Sequence, residues 1–173
     1  MIMPRGADQL LLPVNPLFIA LSLLTALAFN LLPLGRTTWL PDLLALTLAF
    51  WAVHQPRRVG IGLSFAFGLV MDVHQGALLG QHALAYTLLA FVSLALSRRL
   101  TWFTLAQQAL QVLPLFVATH AIALLVRLAA GDLFPGWSLF IAPLLEALLW
   151  PFVTLLLLAP QRRAPDPDEN RPL

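Results

Sequence analysis

The stretch PDLLALTLAFWAVHQPRRVGIGLSFAFGLVMDVHQGALLGQHAL, residues 41–84, holds two apolar runs separated by one tight turn, Gln55-Pro56-Arg57-Arg58. Working outward from it, the same kind of run recurs along the chain: Leu17–Leu34, Thr38–His54, Val59–Val73, Ala77–Ser97, Phe103–Ala130 and Trp137–Ala159. The hydrocarbon core of a bilayer is about 30 Å thick and takes about 20 apolar residues in a helix. The pattern predicts an all-α, polytopic membrane protein with about six transmembrane helices. The second and third runs are short, so a thinned bilayer or shielding by neighbours must accommodate them. The fifth is long and contains Pro114, which predicts a tilt or kink.

Composition agrees. Of 173 residues, 60% are hydrophobic and only 10% charged, against roughly 25% charged in a soluble domain. A soluble domain of this size has too much surface to hide so much apolar area from water. The net charge of +2 does not indicate nucleic acid, because the arginines are scattered between apolar runs and form no basic face. Every basic residue is arginine, and cysteine is absent. Disulfides, thiolate metal sites and cysteine nucleophiles are thereby excluded. Residues 1–159 read as a single transmembrane domain with short loops. Residues 160–173, polar and proline-rich, read as a disordered cytoplasmic tail. Arg5 and Ala26-Leu27-Ala28 have elements of a cleaved signal peptide, but the apolar run continues to Leu34 without a polar break, so an uncleaved helix is expected.

Orientation follows from the arginines. With the N-terminus inside, the cytoplasmic segments hold Arg5, Arg57, Arg58, Arg98, Arg99, Arg162, Arg163 and Arg171; the opposite side holds Arg36 and Arg127. This asymmetry places both termini in the cytoplasm. Trp39, Trp102 and Trp137 fall at predicted interfaces, whereas Trp150 lies within a run and requires a packing explanation.

Ionisable groups inside a bilayer are costly, and each is a candidate functional group. Asp42 follows Pro41 at the start of the second run, and Asp72 closes the third. If the two runs form an antiparallel hairpin, these carboxylates become neighbours that share a proton, bind a cation or accept from Arg36 or Arg127. Solvation at a helix end, with Asp42 offsetting a helix dipole, is the plainer alternative. Gly60, Ser64, Gly68 and Asp72 recur every four residues, and Gly76 and Gly80 continue the spacing. Such a small-residue face serves close helix packing, within the chain or with a partner. Glu146 lies about 13 Å into the sixth run, where a neutral, protonated carboxyl or a partner such as Gln107, Gln111 or Arg127 would remove the charge penalty. Gln107 and Gln111 share a helix face. His74, His82 and Asp72 match no ligand spacing, so no metal is expected. His120 is a lone histidine in an apolar run, and nothing matches a phosphate loop, a nucleophile elbow or an ordered acid/base pair. No enzymatic activity and no cofactor are expected.

Several of these residues together resemble the MreD family of bacterial rod shape-determining proteins. The resemblance is carried by Pro41-Asp42-Leu43-Leu44, by Pro56-Arg57-Arg58-Val59-Gly60, by Gly68-Leu69-Val70-Met71-Asp72-Val73 and by Gly76-Ala77-Leu78-Leu79-Gly80-Gln81-His82-Ala83-Leu84. It implies a non-catalytic scaffold of the inner membrane that maintains cell shape within the peptidoglycan elongation machinery. The implied direct partner is the bitopic protein MreC, with MreB, the RodA glycosyltransferase and the elongation transpeptidase reached through the complex. The family also resembles the substrate-binding subunits of energy-coupling-factor vitamin transporters, a likeness of fold that does not itself confer transport. A small-molecule-binding or transport subunit is the alternative reading, and it requires a polar cavity around Glu146.

Overall fold

The structure, a computed structural model, describes residues 14–33 and 39–161. Among these, six α-helices follow one another: α1 Pro16–Asn30, α2 Leu43–His54, α3 Ile61–Gln75, α4 Gln81–Leu100, α5 Leu105–Ala129 and α6 Ile141–Leu158. Short 3₁₀ turns, Trp137–Phe140 and Ala159–Gln161, flank α6. Each helix lies close to one of the six apolar runs. The expectations for Arg5, Arg36, Arg162, Arg163, Arg171 and the tail beyond Gln161 fall outside the described residues.

Local chemistry sets the helix ends. Pro16 occupies the first turn of α1, where its missing N–H costs nothing, and Asn15 Oδ1 accepts from Leu17 N–H at 2.9 Å. Asp42 does the same for α2, accepting from Ala45 N–H at 2.9 Å. At the end of α3, Gly76 turns left-handed with φ of 60°, and Gly80 before α4 has φ of 107°. Both conformations are strained for residues with a Cβ. These two glycines therefore make the α3–α4 turn and do not extend the small face of α3.

Three helical segments, Gln81–Leu100, Leu105–Ala129 and Trp137–Gln161, are long and apolar enough to cross a membrane. The α5 helix continues through Pro114. The other three helices are shorter. At 12 residues, α2 rises only about 18 Å. Its ten residues Leu44–Val53 are all buried, so it is apolar on every side and shielded on every side. It packs against α1, α4 and α6. Phe50 and Trp51 meet edge-on at 4.9 Å between ring centres, and Trp51 Nε1 donates to Ser22 Oγ of α1 at 2.8 Å. Trp150 is likewise fully buried, with Phe50 and Phe116 each at 6.3 Å and its Nε1 donating to Gln108 Oε1 at 3.2 Å. That is the packing reason for a tryptophan inside α6. Trp39, Trp102 and Trp137 are exposed near helix ends, as interfacial tryptophans are.

The expected hairpin between α2 and α3 is not a packed one. Although joined by the tight turn, α3 packs along α4 instead. Its buried face is Ser64, Gly68, Met71 and Asp72. A Cβ at Gly68 would sit 2.6 Å from Ala83 N and 2.7 Å from His82 O, so the two backbones approach as closely as glycine permits.

Candidate functional site

Polar side chains from all six helices meet at one end of the bundle. Asp42 stands at their centre. Its Oδ1 accepts from Asn30 Nδ2 of α1 at 2.6 Å, and its Oδ2 from the Tyr86 hydroxyl of α4 at 2.5 Å. The Asp42 backbone N–H donates to Glu146 Oε1 of α6 at 2.8 Å. The same oxygen lies 2.7 Å from Nε2 of His120 on α5. The Asp42 carboxylate and its own peptide N–H thus tie four helices together, and Glu146 brings in a fifth through His120. The contacts also fix the topology. The start of α2 meets the end of α1, the early turns of α4 and α6, and the late half of α5, so successive helices alternate in direction.

The remaining helix, α3, joins through Asp72 near its end. Its side chain is 0% exposed and is satisfied by the first turn of α4: Oδ1 accepts from His82 N–H at 2.7 Å, and Oδ2 from Gly80 and Ala83 N–H at 2.8 and 3.3 Å. His82 Nδ1 adds a contact to Oδ1 at 2.9 Å. The free N–H groups at a helix start carry partial positive charge and need acceptors. Asp72 therefore caps a neighbouring helix across the turn. His82 in turn meets the Tyr86 ring edge-on at 6.0 Å, connecting this cap to the Asp42 centre. Replacing Asp72 with alanine strands those donors at a cost of about 3 kcal/mol, and with asparagine about half of that. Hydrogen exchange in detergent should then show the Gly80–Ala83 amides at least tenfold less protected in Asp72→Ala; protection equal to wild type would remove the cap from the account.

Asp42 and Asp72 do not share a hydrogen bond; Tyr86 and His82 stand between them. The partner of Glu146 is His120, with Asp42, and not Gln107, Gln111 or Arg127. Gln107 is exposed at the start of α5, where its Oε1 accepts from Thr104 N–H at 3.1 Å. Gln111 is half-buried on α5, and the glutamine that bonds between helices is Gln108. Arg127 Nε donates to Asp132 at 3.1 Å on an exposed stretch. Gly60 precedes α3 and has no atom within 4 Å of a Cβ position, unlike Gly68. Pro41 lies half-buried beside Asp42.

Four members of the junction were not singled out by spacing: Asn30, Tyr86, His82 and His120. Two carried a usable signal. Tyr86 is the chain's single tyrosine, set in an apolar run, where a hydroxyl needs a partner. His120 lies about 13 Å from the end of α5, the same depth as Glu146 from Trp137.

Most donors and acceptors of this junction are spent on one another, which holds the helix ends in register; Glu146 Oε2 is buried and has no hydrogen-bond partner among the described residues. Among the described residues, no three potential metal-ligating side chains gather. Such a molecule is an all-helical membrane protein whose helices are tied together at one end. Its sequence places it further: the chain belongs to the MreD family of rod shape-determining proteins, whose family model matches residues 10–159. It is 33% identical to the rod shape-determining protein MreD of Haemophilus influenzae over 129 residues, 72% of this chain and 77% of that relative. No solved structure matches the chain. Family membership gives it a role in rod-shape determination, and the family is one of shape-determining proteins, not of enzymes.

Proposed function

We propose that this chain is a non-catalytic scaffold of the bacterial cell-elongation complex. It binds MreC directly, and through the complex it links MreB filaments to RodA and the elongation transpeptidase in peptidoglycan synthesis. The observation that carries this reading is the family match along residues 10–159. The proposed setting is the inner membrane, crossed by all six helices, with both termini in the cytoplasm. Arg57, Arg58, Arg98 and Arg99 lie at one end of the alternating bundle and Arg127 at the other, which supports that orientation.

The connections 55–60, 76–80 and 101–104 are short and leave little surface outside the bilayer. Recognition then falls to helix faces turned toward lipid. The α3 helix packs along α4 and leaves Ala66, Val70 and Val73 exposed. Ala66 is two residues from Gly68, hence on the opposite face. An affinity pull-down from mild-detergent membranes tests the reading. Wild-type chain should bring down MreC and the elongation synthase, and Ala66→Leu should lower MreC recovery at least tenfold at unchanged chain abundance. Undiminished recovery with that variant moves the partner surface off α3. Recovery of an energising ATPase module, without wall-synthesis proteins, favours the transport reading. The polar groups that alternative needs do not converge: Glu146 Oε1 meets His120 and the Asp42 N–H, whereas Gln107 bonds the start of its own helix.

A further inference from the structure

The end of the bundle away from the polar junction has a feature of its own. A trench of about 640 Å³ runs between α1 and α3. Its walls are apolar, formed among others by Ile19, Ala20, Leu23, Leu63 and Phe67. From Pro16 to Leu24 it follows α1 for about 12 Å. The one charged group in its lining is Arg58, at the mouth. That guanidinium is not free to wander: one of its terminal nitrogens donates to Val14 O, just before α1, at 2.7 Å. A guanidinium has five N–H donors in a planar fork, and among the described residues the Arg58 side chain spends one of them, on Val14.

We infer that this trench is a binding site for an anionic phospholipid, with the phosphate on Arg58 and an acyl chain along the apolar walls. An anionic head and an apolar tail, joined end to end, match a fixed cation at the mouth of an apolar slot. A transmembrane helix of a partner, or of a second copy, fits less well. In the orientation proposed above, the basic residues of such a helix lie at the level of Arg58, and like charges meet. Inorganic phosphate alone would leave the apolar walls unused.

The test is native mass spectrometry of the purified full chain in detergent, titrated with phosphatidylglycerol and phosphatidylcholine of identical acyl chains. Phosphatidylglycerol should be retained at least fivefold more than phosphatidylcholine. Arg58→Ala should abolish that preference. Arg57→Ala, which alters a neighbouring exposed arginine outside the trench lining, should leave it within twofold. Ala20→Phe fills the trench from an exposed position and should lower retention of both lipids at least fivefold at an unchanged thermal midpoint. Equal retention of the two lipids by wild type, equal losses with Arg57→Ala and Arg58→Ala, or full retention by Ala20→Phe each overturn the proposal. A photo-crosslinking residue at Leu24 separates the occupants. Lipid adducts support the site; adducts to residues 1–13, to a second copy or to another protein overturn it.

Discussion

Glu146→Ala is expected to lower the thermal midpoint of the detergent-solubilised protein by on the order of 10 °C. The substitution removes the acceptor shared by His120 and the Asp42 N–H, and it unties α6 from α2 and α5 in one step. Leaving a buried polar group unsatisfied costs about 1–3 kcal/mol, and here His120 Nε2 and the Asp42 N–H lose their partner together, for a total of about 3–5 kcal/mol. In a chain of this length each kcal/mol is worth roughly 2–4 °C. Glu146→Gln keeps a carbonyl oxygen in place and should cost about 1 kcal/mol. The double variant Glu146→Leu, His120→Leu removes both partners and replaces them with apolar volume, so it should be milder than either leucine single variant. Differential scanning fluorimetry on the five variants and the wild type decides the matter. A Glu146→Ala midpoint within 2 °C of wild type, or additive losses in the double variant, would show that the junction does not hold the helices together.

The second large effect is expected at Gly68. Its Cβ position meets backbone atoms of Ala83 and His82, which cannot swing aside as a flexible side chain does. Gly68→Ala should therefore cost about 3 kcal/mol, the upper end for overpacking a close contact. Gly68→Leu should lower chain abundance in membranes several-fold. Separating α3 from α4 also pulls Asp72 off the first turn of α4, so the two losses compound. Quantitative immunoblotting of membranes, together with hydrogen exchange over residues 80–83, measures both. Normal abundance of Gly68→Leu with reduced MreC recovery would instead assign Gly68 to a partner surface.

Helix positions were legible in the sequence because their causes are local. The run Phe103–Ala130 and the helix Leu105–Ala129 coincide within two residues at each end, since apolar continuity and the breaks around it mark both. Which helices pack together was not legible. The tight turn at Gln55–Arg58 suggested α2 against α3, but the face Ser64, Gly68, Asp72 seats on α4, and small residues do not name their neighbour. The same spacing enrolled Gly76 and Gly80 in that face, whereas their positive φ makes them turn residues. The partners of Glu146 lie 26 and 104 positions away. Such pairings depend on helix rotation and depth taken together, and a single run carries only its own periodicity. Depth alone points to His120, but a single histidine in an apolar run carries no signal of its partner.

The sheathed α2 helix has a consequence for how the protein is made. A helix rising about 18 Å falls short of a hydrocarbon core of about 30 Å, and completes the crossing only with neighbours around it or a thinned bilayer. Left alone in lipid, its end groups would face hydrocarbon unsatisfied. Two of the helices that enclose it, α4 and α6, emerge from the ribosome after it. The order of synthesis is therefore not the order of assembly. The second helix to be translated reaches its final environment only when the last one closes around it, and until then the nascent chain has an unfinished centre that the membrane insertion machinery must shelter.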